Sequence, residues 1–115
     1  MKSFLILFKT KSIPFSSNKK IEYVKDWENY LEKLKKMVIL TDYSFLKKDC
    51  TYISDKKVQK KSYIPHKDIF SGYIVIKSNN TNEVIDICSS CPVFKRGGDM
   101  QIKEIDNDYL ELTKQ

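Results

Sequence analysis

Two cysteines stand three residues apart in "ICSSCP", Cys88 and Cys91, directly before Pro92. A reactive C-x-x-C places its attacking thiol at a helix amino terminus, where the helix dipole lowers the thiol pKa. Here the pair falls in what reads as the last turn of a helix, where the dipole disfavours thiolate. A zinc site would need further Cys or His ligands, and only Cys50 and His66 remain to supply them. Core packing therefore outweighs redox or metal chemistry, and the sequence implies neither a metal nor a cofactor.

His66, in "YIPHKD", is the single histidine. An isolated histidine in a polar loop is usually a bystander, and no nucleophile-base spacing is readable around it. Trp27 suits either packing or the lining of a pocket, since its ring is large and its indole N–H is a donor. The "KRGGD" stretch offers cations and backbone amides to an anion, yet a tight turn explains its glycines equally well. No phosphate-binding loop or dinucleotide fingerprint is present.

These residues sit on a chain of 115 residues, 41% hydrophobic, with three glycines and three prolines. Such a chain makes one domain with a core of its own. The run from Phe4 to Phe8 is too short for a signal-peptide core or a membrane span and reads as a buried strand. Without an export signal the expected location is the cytoplasm, where Cys50, Cys88 and Cys91 stay reduced. The net charge of +6 comes from lysine, Arg96 being the single arginine. Base and phosphate recognition favours the bidentate guanidinium, so a solvated lysine surface outweighs a nucleic-acid partner as the explanation.

Ser3 to Phe8 make a first strand within residues 1–10. Ile21, Val24, Trp27, Leu31 and Leu34 recur at helical spacing and predict an amphipathic helix near Asn18 to Met37 with that stripe buried. "MVILTDYSFL" reads as a strand. Residues 47–62 contain a lysine-rich hairpin, Thr51 to Ile53 against Val58, whose cations protect an exposed edge. "GYIVIKS" is apolar on both alternating faces, Tyr73 and Val75 on one, Ile74 and Ile76 on the other. It belongs in the middle of a sheet with helices on one side and something apolar on the second, which in so small a domain is another subunit. Asn80 and Glu83 suit a capping box for a second helix, with Val84, Ile87, Cys88 and Cys91 on one face and Ile85 beside them, ended by Pro92. "MQIKEI" is a last strand, and residues 107–115 form a peripheral tail.

The order strand, helix, strand, inserted hairpin, strand, helix, strand gives the α+β, ferredoxin-like βαββαβ arrangement, an antiparallel sheet with both helices on one face. Face-to-face pairing of two such sheets, as a dimeric α+β barrel, covers the bare face.

From about Ser62 to Ile105 the chain resembles the YCII-related family, in particular its DGPF-domain branch. Lys67 and Asp68, Gly72 and Tyr73, Cys91 and Pro92, Gly97 and Gly98, and Glu104 occupy the places of that branch's pattern. An apolar first strand and a helix with Trp27, Tyr30 and Leu31 resemble its opening. The resemblance implies a homodimer with a small-molecule pocket whose mouth lies near the segment of Tyr63 and His66, and makes Trp27, Tyr63, His66, Asp68 and Tyr73 candidate ligand-binding residues. The departures are specific. The branch's namesake Asp-Gly-Pro-Phe falls on Lys60, Lys61, Ser62 and Tyr63, which keeps only the aromatic. YCII-like relatives carry a His in the first helix and an Asp before the second helix's proline, and here the helix has no His and the pre-proline residue is Cys91. A His-Asp mechanism is therefore not carried over, and an acid-base group for any reaction would come from His66, Asp68, Asp42 or a tyrosine. The expected function is binding of a small aromatic or apolar molecule between sheet and helices. The alternative is a non-catalytic interaction module whose lysine-rich surface meets nucleic acid or an acidic protein.

Overall fold

A computed structural model describes residues 1–10, 16–47, 49–59 and 70–112, with the side chains of Ser54, Gln59 and Leu112 excepted. Tyr63, His66 and Asp68 lie outside the described residues. The elements in chain order are β1 (Lys2–Lys9), α1 (Ser17–Lys36), β2 (Leu40–Phe45), β3 (Tyr52–Ser54), β4 (Lys57–Gln59), β5 (Gly72–Ser78), α2 (Thr81–Cys88), a 3-10 turn (Pro92–Arg96), β6 (Asp99–Glu104) and α3 (Tyr109–Leu112).

Strict alternation in β1 and β5 fixes the layers. Phe4, Ile6 and Phe8 of β1 are buried, as are Ile74, Ile76 and Ser78 of β5, while Leu5, Leu7, Tyr73 and Val75 point the other way and are half-buried. The pairings Phe4↔Ile76, Ile6↔Ile74 and Phe8↔Gly72 make the buried residues one face. Strands are ordered β2-β5-β1-β6, every neighbour antiparallel, with β3 and β4 forming a separate hairpin. With α1 and α2 packed on one face, the architecture is the mixed α+β type consistent with a ferredoxin-like fold. The two doubly apolar strands occupy the two central places, and no described element covers the second face, which is bare among the described residues.

Three local expectations need correction. In α1 the buried residues are Trp27, Tyr30, Leu31 and Leu34, whereas Ile21 and Val24 are 56% and 48% exposed. Trp27 packs on Phe8, one residue from the end of β1, and of the apolar residues before it in the helix only Tyr23 packs against the core. The strand after α1 begins at Leu40 rather than Met37, because Met37 caps the helix and Val38 takes φ 58°. Ile39 N–H then reaches back to Leu34 O at 3.4 Å, a Schellman-type stop whose buried Ile39 and Leu34 belong to the same core.

Helix α2 begins as its sequence suggests, Asn80 Oδ1 accepting from Glu83 N at 2.9 Å. It ends at Cys88, three residues earlier than Pro92 implies. Ser89 Oγ donates to Asp86 O at 2.7 Å, so a serine hydroxyl takes one of the carbonyls that a continuing helix would use. Cys91, the residue before proline, is extended at φ −63°, ψ 133° and caps the 3-10 turn without a side-chain bond. It is buried all the same, with Val84 and Cys88, while Ile85 is exposed.

Candidate functional site

The sheet positions two separate groups of residues, one on each face. On the helix side an aromatic cluster closes the end of the sheet where β1 finishes and β5 begins. Trp27 lies 4.9 Å from Phe8 and 5.0 Å from Phe45, centroid to centroid, the second contact edge-on at 87°. Tyr23 and Tyr30 meet the same indole edge-on at 6.4 and 6.0 Å. Edge-to-face geometry sets ring edges against π faces, which adds about 1 kcal/mol per pair to area burial.

Gly72 makes this cluster fit. A Cβ there would lie 2.5 Å from Phe8 Cζ and 2.6 Å from Ser44 O, so only glycine lets the Phe8 ring cross the paired strand. Beside it, Ser71 N donates to Phe8 O and Ser71 O accepts from Leu46 N, both at 2.8 Å, and Ser71 Oγ accepts from Thr10 N at 3.0 Å. Tyr30 Oη donates to Ile87 O at 2.8 Å and ties α1 to α2. Burial raises the Tyr30 phenol far above its ordinary value, so it stays a neutral donor.

Trp27 is only 5% exposed and is a packing residue in this arrangement. The cluster's accessible edges are Phe45, 51% exposed, and the half-buried Tyr23, under the Arg96 guanidinium at 6.0 Å. Desolvation by burial raises the Tyr23 phenol above its ordinary value.

Tyr73 lies on the opposite face, so Trp27 and Tyr73 are not brought together. Its hydroxyl donates to Asp42 Oδ2 at 3.1 Å, and Asp42 Oδ1 accepts from Tyr43 N at 2.8 Å. That bond to the carboxylate, which favours the protonated phenol, is the first cause of a raised Tyr73 pKa. A register irregularity between Leu40 and Asp42 turns Asp42 onto this face opposite Val75. Asp42 is recognisable in the sequence as an acid on a strand, but its pairing with Tyr73 depends on that irregularity, which hydropathy alternation does not show.

Cys88 and Cys91 are buried free thiols, and desolvation pushes them up to about 12 and about 11. Both would be protonated at neutral pH, the opposite of a redox-active pair. Gly97 holds φ 66° at the end of the 3-10 turn, and a Cβ on Gly98 would lie 2.4 Å from Lys9 O. The glycines of "KRGGD" thus serve a turn and a close approach. No group of three His, Cys, Asp or Glu capable of holding a metal occurs among the described residues. No described helix is long and apolar enough to cross a membrane.

Comparison with protein-family models and with curated protein sequences finds no match. Among solved structures, the chain is similar to 5-chloro-2-hydroxyhydroquinone dehydrochlorinase from Burkholderia phenoliruptrix, in complex with 2,5-dihydroxybenzoquinone. The TM-score is 0.57 at 19% identity, over 90% of this chain and 93% of that one. The likeness extends over nearly the whole of both chains and carries the fold, an α+β arrangement with helices on one face of an antiparallel sheet.

Proposed function

We propose that the chain binds a small aromatic or apolar molecule at the aromatic end of its helix–sheet interface, and that it does so as a homodimer closed through the bare sheet face. The observation that carries the ligand reading is the ring cluster of Trp27, Phe8, Phe45 and Tyr23, held open for Phe8 by Gly72 and presenting the face-accessible edges of Phe45 and Tyr23. Flat apolar ligands bind where rings can stack or meet edge-on and a few polar groups fix orientation. Ser71, Thr10 and Arg96 are the nearby polar groups, and in sequence Tyr63, His66 and Asp68 lead directly into Phe70 and Ser71. His66 and Asp68 would then supply orientation or an acid-base function, with Trp27 a wall of the site rather than a contact at its mouth.

Support at the level of fold comes from the dehydrochlorinase, whose structure holds a dihydroxybenzoquinone. Affiliation with the YCII-related and DGPF-domain proteins is part of the same proposal, with a binding role that does not use their His-Asp pair. Homodimerisation is supported by the half-buried Leu5, Leu7, Tyr73 and Val75, four large side chains on a face that no element of the described chain covers.

Trp27, the single tryptophan, provides the assay. Titration with 2,5-dihydroxybenzoquinone, and separately with hydroquinone, should change Trp27 emission saturably at or below millimolar concentration, and Phe45→Ala should weaken the apparent affinity about tenfold. A response that does not saturate, or that Phe45→Ala leaves unchanged, would remove the ligand site from this end of the sheet.

A further inference from the structure

The bare sheet face carries an ordered charge pattern. Asp42 is in register with Val75, Val75 with Leu5, and Leu5 with Lys103. One row across the sheet therefore reads anion, apolar, apolar, cation from the β2 edge to the β6 edge. The next row reads Ser44, Tyr73, Leu7, Gln101, with the same polar-apolar-apolar-polar form. Asp42 and Lys103 are both exposed, and Lys103 has no ion pair among the described residues.

Such a row is self-complementary under one symmetry. Two identical sheets can stack face to face about a two-fold axis lying between them, either along the strands or across them. An axis along the strands sets β2 over the partner's β6, so Asp42 meets a second copy's Lys103 at both edges while Leu5 and Val75 meet Val75 and Leu5 in the middle. An axis across the strands sets β2 over β2. The sequence of β2, LTDYSF, contains no cation, so Asp42 would then face no lysine of the partner's β2, and the reciprocal Asp42–Lys103 match would be lost.

From this pattern we infer that a second copy of the chain docks on the bare face with its two-fold axis along the strands, held in register by two reciprocal Asp42–Lys103 ion pairs. The inference rests on the homodimer reading above and adds its geometry. Edge strands of a four-stranded sheet lie about 7 Å from such an axis, for a strand spacing of ~4.8 Å. The ~30° rotation usual between aligned sheets displaces facing edge residues by only about 4 Å, within reach of a lysine side chain. Tyr73 gives the carboxylate its aim, its hydroxyl occupying Oδ2 while the backbone of Tyr43 occupies Oδ1. Each oxygen retains a lone pair for an incoming ammonium.

The test is a charge swap read by sedimentation of the full chain. Wild type should be dimeric at micromolar concentration. Asp42→Lys and Lys103→Asp should each raise the dimer dissociation constant tenfold or more, because each sets like charges against one another at both edges. The double variant D42K/K103D should return to within about threefold of wild type, with circular dichroism confirming that all variants fold. If the single variants dimerise like wild type, or the double variant is as weak as the singles, this geometry is wrong while the homodimer stands. If wild type is a monomer at 100 µM, the homodimer reading falls and the geometry with it.

Discussion

Replacing Gly72 with alanine should destabilise the protein well beyond what a single methyl group suggests. The added Cβ would sit 2.5 Å from Phe8 Cζ, 3.0 Å from Phe8 Cε2 and 2.6 Å from Ser44 O. Carbon–carbon contacts are comfortable near ~3.5–4.0 Å, so the ring and the neighbouring strand must each yield by about 1 Å. Neither does so cheaply. Ser44 O belongs to the backbone of β2, paired with β5, and the Phe8 ring is 1% exposed and backed by Trp27 at 4.9 Å and Phe45 at 5.9 Å.

Overpacking of this kind costs roughly 1–3 kcal/mol, and the misplaced ring contacts add about 1 kcal/mol. The lower entropy of the unfolded alanine chain returns about 0.5–1 kcal/mol. The net loss is about 1–3.5 kcal/mol, or about 4–14 °C in the melting midpoint at ~4 °C per kcal/mol. Thermal denaturation followed by circular dichroism and by Trp27 emission reads both consequences, since a displaced Phe8 also changes the tryptophan's surroundings. In a Phe8→Leu background Gly72→Ala should cost at least 1 kcal/mol less, the coupling expected of two residues in contact. Melting of Gly72→Ala within 2 °C of wild type with unchanged emission would refute the steric account of this glycine.

Three further outcomes follow from local geometry. Val38, 86% exposed at φ 58°, adopts a conformation that penalises a β-branched residue, so Val38→Gly should raise stability by about 1 kcal/mol in urea denaturation. Cys88 and Cys91 should resist an aromatic disulfide reagent at pH 8 while exposed Cys50 reacts, giving one fast thiol in the native chain and three in denaturant. Their folded pKa values are raised above the 9.0 of a free thiol, to about 12 and about 11. Their contribution to stability is thus fully present below pH 9 and declines as pH rises from there toward 11–12. Cys88→Ala should make that alkaline decline shallower.

What the sequence makes legible here is what depends on neighbours along the chain. Alternation in "GYIVIKS" is enough to place that strand at the centre of the sheet, and the apolar run "FLILF" is enough to mark a buried first strand, because side chains alternate whatever the sheet's size. Asn80, three residues before Glu83, caps α2 for the same local reason. The helical period of α1 identifies a stripe but not how much of it the core covers, so Ile21 and Val24 carry the spacing of buried residues and are exposed. Pro92 marks a latest end for α2, and the serines before it bring the end forward. The Tyr73–Asp42 pair joins residues 31 positions apart across a register irregularity, which no window along the sequence contains. Trp27 is similar: its type admits pocket or core, and only the placement of Phe8, Phe45 and Tyr30 around it decides for core.

The thiol at position 91 has a physical explanation in its burial. Cys91 stands at the pre-proline position where the resemblance implies an acid, and it is 3% exposed within the core that holds Tyr30, Val84 and Val93. A carboxylate there would require a buried cation or several hydrogen bonds to offset its lost hydration. Helix α1 offers no histidine to provide one, and its Tyr30 hydroxyl is already committed to Ile87 O. A small apolar thiol removes that requirement. Two polar pairs lie outside that core: Thr10 with Ser71 at the end of the sheet, and Asp42 with Tyr73 on its bare face. The aromatic end of the helix side and the charged edges of the other, apolar face thus divide the two tasks proposed for this fold, so that ligand binding should respond to Phe45 and self-association to Asp42.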